Sequence, residues 1–161
     1  MSQGYYDTAQ VCLNGHVITM EYETAIEFRS KHCGECGEST IIKCSNCNTK
    51  IRGYYHLPDV IGLYSDIVSS YCHECGKAYP WTEAKIEAAR ELTEELEELT
   101  DEEKELLKKS LDDLVKDSPR TVVATTRFKR LVGKATPEIA TGFKDILVDI
   151  VSETAKKAIW G

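Results

Sequence analysis

The 161-residue sequence has no apolar run near the roughly eighteen residues that a bilayer-spanning helix requires. Its start, MSQGYYDTAQ, lacks the basic-then-apolar order of a secretory signal. These absences lead to the expectation of a cytoplasmic protein with no membrane contact. Also missing are an HExxH helix, a GxxxxGK[ST] phosphate loop and a GxGxxG dinucleotide turn. No motif marks a small-molecule substrate, and the expectation is a protein that is not an enzyme. A Ser or Asp pair assembled only in space would escape such a scan.

A second kind of scarcity divides the chain. After Trp81 there is no cysteine and no tyrosine, and before it lie only three of the twelve leucines. All seven cysteines, all eight tyrosines and seven of the ten glycines precede that point. Two regions of such different chemistry predict two modules, 1–81 and 82–161.

What the front module has is sulfur in pairs. The candidate ligands are Cys12-x3-His16, Cys33-x2-Cys36, Cys44-x2-Cys47 and Cys72-x2-Cys75. A reducing cytosol disfavours disulfides, and an odd number of cysteines would leave one unpaired. Each pair can occupy a tight turn that aims two side chains at one ion, and a tetrahedral structural zinc site needs two such turns. Seven thiols and one imidazole make eight donors, enough for two closed zinc sites. His16 is chosen because Cys12 needs a partner and Asn14-Gly15 supplies the turn; the bland alternative is a surface histidine on a hairpin tip. His32 is the reserve for the fourth position. His73 lies inside a knuckle and should point outward, and His56 reads as a surface or packing residue.

Three pairings satisfy this ligand set. Consecutive knuckles can share an ion, so that Cys12, His16, Cys33 and Cys36 hold one and Cys44, Cys47, Cys72 and Cys75 the other. A nested site can instead close over Cys33, Cys36, Cys44 and Cys47, leaving the outer pairs for the second ion, and a crossed arrangement also fits. Consecutive pairing is preferred because its intervening segments are long enough for β-hairpins. HVITMEYETAIEF and TKIRGYYHLPDVIGLYSDIVSSY are rich in β-branched and aromatic residues, with turn breaks at Pro58-Asp59 and Gly62. Zinc would act here as structure: a small core gains on the order of 10 kcal/mol or more per thiolate-rich site. With four protein donors on each ion, no position remains for a reactive water.

GYYDTAQVCLNGHVIT, CSNCNTKIRGYYH and YCHECGKAYPWT together resemble a family of small bacterial proteins catalogued as domain-of-unknown-function family 2321, which carry zinc-ribbon knuckles of this kind. The likeness is most specific in the front module and continues through the rear one. It implies a zinc-ribbon protein of the bacterial cytoplasm and brings no activity with it.

From Thr82 the period becomes helical. Ile86, Ala89, Leu92, Leu96 and Leu99 recur at steps of three and four among glutamates. Thr100 to Glu103, TDEE, is a capping box for a second helix carrying Leu107, Leu111, Leu114 and Val115. Ser118-Pro119 predicts the start of a third helix and Gly133 its end; Thr136-Pro137 predicts a fourth. That fourth helix should run to Trp160 with Ile139, Phe143, Ile146, Ile150, Val151, Ala155 and Ile159 on one stripe. The fold class expected is α+β: a double zinc-ribbon module of short β-hairpins, then an antiparallel bundle of about four helices.

Charge is also divided. Residues 82–117 carry fourteen acids and six bases, whereas 118–161 carry four acids and eight bases. Attraction between the two hairpins explains Arg127, Lys129, Arg130 and Lys134; a strip for phosphate-bearing partners is the functional alternative.

The functional expectation is a non-catalytic adaptor that meets an unidentified protein, or itself, through the helices, with Tyr54, Tyr55 and Trp81 as candidate anchors, residues equally consistent with filling the gaps of a ribbon core. The rival is nucleic-acid binding. Residues 29–52 hold Arg29, Lys31, Lys43, Lys50 and Arg52 against Glu35 and Glu38, beside two tyrosines able to stack on bases. The formal net charge of −7 opposes that rival without forbidding a local patch.

Overall fold

The computed structural model describes residues 3–62 and 65–161. The chain divides into two compact units, Met1–Glu83 and Ala84–Gly161.

In the front unit five short strands form two small antiparallel sheets. Strand β1 (Tyr5–Thr8) pairs with β5 (Arg52–His56), and β2 (Gln10–Cys12) lies between β3 (Val17–Thr19) and β4 (Thr40–Ile41). The β2–β3 hairpin turns at Asn14-Gly15, where Gly15 takes a φ of 94°, a left-handed conformation that favours glycine. Among the described residues of the expected second hairpin, Arg52–His56 is the part that is strand. Arg52–His56 pairs back to the amino-terminal β1 across more than forty residues, because the rings of Tyr6 and Tyr55 and of Tyr5 and His56 meet across that register. The expected return strand covered Leu63 and Tyr64, which lie outside the described residues; Ile26–Phe28, expected as strand, is a 3-10 turn.

Buried Asp7 ties this unit together. Its Oδ1 accepts from the backbone N–H of Thr8 (2.7 Å) and Glu23 (2.9 Å), and its Oδ2 accepts from the Thr24 hydroxyl (2.6 Å) and pairs with His56 Nε2 (3.1 Å). Burial alone would raise its pKa, but these donors outweigh it and hold the carboxyl below its ordinary value.

Five helices follow: α1 (Pro80–Glu94), α2 (Asp101–Val115), α3 (Thr121–Val132), α4 (Pro137–Leu147) and α5 (Glu153–Trp160). Thr100 and Glu103 form the reciprocal capping box, and Thr136 caps α4 with Pro137 behind it. Helix α3 starts two residues beyond Pro119, since the Thr121 hydroxyl bonds the Lys116 carbonyl and holds the preceding residues in a turn. The single long fourth helix is corrected to two. Ser152 caps α5 by accepting from the Ala155 N–H, while its own N–H donates to the Leu114 carbonyl of α2, so the helical ladder breaks there.

Cross-links give the directions within the helical unit. Arg90 meets Asp112 and Lys108 meets Glu94, so α1 and α2 are antiparallel; Arg120–Asp113 and Lys134–Glu103 show the same for α2 and α3. The opposite charges of the two halves meet in these last pairs. Leu96, Leu107, Leu111, Leu114, Leu131, Phe143 and Leu147 are buried, and Phe128 packs edge-on against Phe143 and Trp160. The architecture is mixed α and β, and among the described residues no helix is long and apolar enough to cross a membrane.

Candidate metal centre

Three of the four ligand pairs are built on one repeated turn. After the second cysteine of each CxxC comes a residue of positive φ: Gly37 (75°), Asn48 (62°) and Gly76 (73°). The N–H of that residue donates to the carbonyl of the first cysteine, and the flanking residues pair as His32 with Ser39, Lys43 with Lys50 and Tyr71 with Ala78. Glycine and asparagine tolerate this left-handed step and most side chains do not. The fourth pair sits at the β2–β3 turn, where Cys12 N–H bonds the His16 carbonyl.

The fold brings these turns together in sequence order. Cys12, His16, Cys33 and Cys36 form one group and Cys44, Cys47, Cys72 and Cys75 the other, with the four donor atoms of each group within 4.8 Å of one another. The nested and crossed pairings are absent. In the first group Cys12 is held against the next knuckle by β2–β4 pairing and by Gln10, whose amide bonds the Ser30 carbonyl at 2.6 Å and the Thr40 hydroxyl at 2.8 Å. In the second, Tyr79 is buried against Trp81, with ring centroids 4.5 Å apart, and the Ser70 carbonyl receives both Tyr79 N–H and the Thr82 hydroxyl.

The spacings fit a tetrahedral ion. Metal–sulfur bonds of about 2.3 Å and metal–nitrogen bonds of about 2.0 Å imply S···S edges of about 3.8 Å and S···N edges of about 3.5 Å. The observed edges are 3.8 Å for Cys12–Cys36, 3.7 Å for Cys44–Cys75 and 3.7 Å for Cys47–Cys72. His16 Nδ1 lies 3.4 Å from Cys12 Sγ and 3.6 Å from Cys33 Sγ. A disulfide needs sulfurs about 2.05 Å apart, so these are not bonded pairs. All seven cysteines are free. The donor set therefore suits a thiophilic divalent metal at both groups.

Electrostatics favour the thiolate at Cys36, Cys72 and Cys75. The Glu38 N–H, then the Asn14 amide, pulls the Cys36 thiol down to about 6, and the Cys75 N–H does the same for Cys72, also to about 6. Cys75 is lowered by the Lys77 N–H and then Asn46. Burial raises Cys12. At Cys44 the N–H of Cys47 pulls downward, but burial and the neighbouring Cys75 and Cys72 sulfurs prevail and the thiol is raised. Such opposed shifts belong to three sulfurs in the first group and four in the second sharing one small space, where a cation would let all of them ionise. Burial, followed by the Cys72 charge, also lifts Tyr79 well above the usual tyrosine range.

The outer shell was not read from the sequence. Glu35 Oε2 lies 3.3 Å from His16 Nε2, the ring nitrogen that faces away from the sulfurs, a partner able to hold Nδ1 toward an ion. Asn14 Nδ2 donates to Cys36 Sγ at 3.4 Å, and Thr49 Oγ1 lies 3.3 Å from Cys47 Sγ. An acid or amide inside or next to a knuckle was the available signal.

The contact residues fare unevenly. Arg29, Lys31, Lys43, Lys50, Arg52 and Tyr55 are exposed, although Arg29 stacks on Tyr22 and Lys50 pairs with Glu23 at 2.8 Å. Tyr54 is half-buried and edge-on to His56. Of the two readings of Trp81, the exposed anchor is corrected and the core filler stands: it is 2% exposed, because its indole fills the space beside Tyr79. Tyr5 and Tyr6, not expected as contacts, are about half exposed at 53% and 51%.

A family model described as an uncharacterized protein conserved in bacteria (DUF2321) matches residues 5–159. No curated protein and no solved structure matches the chain. With nearly its whole length covered, from the first strand to the last helix, the chain belongs to this uncharacterized bacterial family.

Proposed function

We propose that the protein is a non-catalytic interaction adaptor of the bacterial cytoplasm, its front unit stapled by two structural zinc ions. One observation carries this: the eight donors divide into two sets of four, with edges that suit closed zinc tetrahedra. Zinc bound this way polarises no substrate, and every thiol that could serve as a nucleophile is engaged as a ligand. A reducing compartment keeps those thiols available.

The front unit carries the contact surface in this reading. The leucines of the helices are spent on their own core, whereas Tyr5, Tyr6, Tyr55, Ile26 and Phe28 are exposed. A rigid metal-held loop system presents such side chains at low entropic cost, as an adaptor requires. A nucleic-acid partner is the second reading, favoured by the Arg52 guanidinium lying 4.6 Å from the Tyr6 ring centroid beside Lys43 and Lys50.

Cobalt substitution tests the central part. Two equivalents of Co²⁺ should give the intense visible bands of tetrahedral thiolate sites, unaltered by azide or cyanide at concentrations that ligate open cobalt. A spectrum that responds to those anions would reveal an exchangeable position and defeat the structural reading.

A further inference from the structure

We propose that the outward side of β5 and the strands beside it form a track for single-stranded nucleic acid, with Lys43, Lys50 and Arg52 on phosphates and Tyr6 and Tyr55 under bases. This rests on the second reading above, a nucleic-acid partner, and names the kind of strand and the residues that meet it.

The track begins with two lysines opposite each other. Lys43 and Lys50 form an antiparallel bridge, a placement of like charges that costs stability unless an anion lies between or above them. Only Lys50 has a carboxylate neighbour, Glu23; among the described residues Lys43 and Arg52 have none within ion-pair distance. Ile51 is buried between Lys50 and Arg52, which therefore project on the outer side together.

A bulge joins the basic part to the aromatic part. Tyr6 pairs with Tyr55 and Thr8 with Arg52, two steps on β1 against three on β5. Gly53 lies within this extra step, where a Cβ would fall 2.2 Å from the Met20 carbonyl oxygen. The offset swings Arg52 across the sheet onto the Tyr6 ring, whose centroid is 4.7 Å from that of Tyr55. Tyr55 lies so close over Gly4 that a Cβ there would sit 2.6 Å from its hydroxyl oxygen, which fixes the ring before any ligand arrives. From Lys50 to Tyr55 the strand spans about 17 Å, enough for a few nucleotides.

This combination of cations spaced along an edge and half-exposed rings matches how single strands are bound without sequence preference. An acidic peptide would use the cations but leave the two rings without base-like partners. The acidic remainder of the chain repels phosphate, so affinity should be in the micromolar range and strongly salt-dependent.

The test uses the full zinc-loaded chain and fluorescein-labelled oligo(U) and oligo(dT) of about twelve nucleotides, followed by anisotropy at low and moderate salt. Wild type should bind at low salt and weaken at least tenfold between about 50 and 200 mM. K50E with R52E should lower affinity more than tenfold and flatten the salt slope by about two. Y6A with Y55A should lower it about tenfold or more with the slope unchanged, and Y6F with Y55F should restore it. K109E with K157E, on exposed residues of the helical unit, should change nothing. Metal content and circular dichroism verify that each variant is folded. Two bound zinc ions with no oligonucleotide binding would overturn the track and leave the staples standing. So would binding of a polyglutamate peptide as tight as that of the oligonucleotides, or indifference to the tyrosine variants.

Discussion

The two units solve the same problem by different means. The helical unit packs seven large leucine and phenylalanine side chains inward from helices whose stripes the chain spells out, and burial of such side chains supplies its stability. The front unit has strands of two to five residues, and beyond the cysteines its buried apolar side chains are few: Ala9, Val11, Met20, Ile51, Tyr79 and Trp81. Its order comes from turns that converge on two points. The difference teaches that sulfur spacing replaces hydrophobic periodicity as the folding instruction where the core is thin.

Removing the metal should break the comparison most widely. A strong chelator, or Cys72→Ser, should unfold the front unit, a loss on the order of 10 kcal/mol per site, while the helical signal of 84–161 persists. Tyrosine near-ultraviolet dichroism reports the first, since all the tyrosines precede residue 80, and far-ultraviolet dichroism the second. Next in size is the opposite experiment. Phe143→Ala should destabilise the helical unit by about 3–5 kcal/mol while zinc stoichiometry by elemental analysis stays unchanged.

Asp7→Asn sharpens the picture within the front unit. It disturbs four hydrogen bonds and should cost about 1–3 kcal/mol even with both ions bound. Because the folded pKa of Asp7 is depressed, its contribution is present above the unfolded value near 3.8 and is lost only as pH falls through the still lower folded value. The gap in melting temperature between wild type and Asp7→Asn should therefore stay constant from about pH 8 to pH 5. A gap that closes within that window would assign the effect to another group. Smallest is Thr100→Ala, which removes the capping box and should cost the helical unit about 1 kcal/mol in a denaturant titration, with no effect on metal.

Legibility followed the same division. Donor spacing along the chain marked the eight side chains that the fold gathers into two groups of four, because a CxxC turn is local and its chemistry needs both sulfurs. The Thr100 and Thr136 caps were legible for the same reason: cap and acceptor lie within one turn. What stayed hidden depends on distant residues. No local pattern pairs β5 with β1, and the break at Ser152 is fixed by a bond to Leu114 in another helix. Trp81 stayed open between anchor and core because an aromatic after proline carries no sign of the neighbouring Tyr79 ring that buries it. Asn48 could have been read beside Gly37 and Gly76 as the third left-handed step of one repeated knuckle.

The most direct measurement is X-ray absorption at the zinc edge on protein purified without chelator, calibrated by elemental analysis. The account predicts two zinc ions per chain, with an average shell of 3.5 sulfurs and 0.5 nitrogen per ion, following from the seven cysteines and one histidine in the two groups. The sulfur distance should be about 2.3 Å. Fewer than two ions, or a shell containing a full oxygen or extra nitrogen donor per zinc, would contradict it.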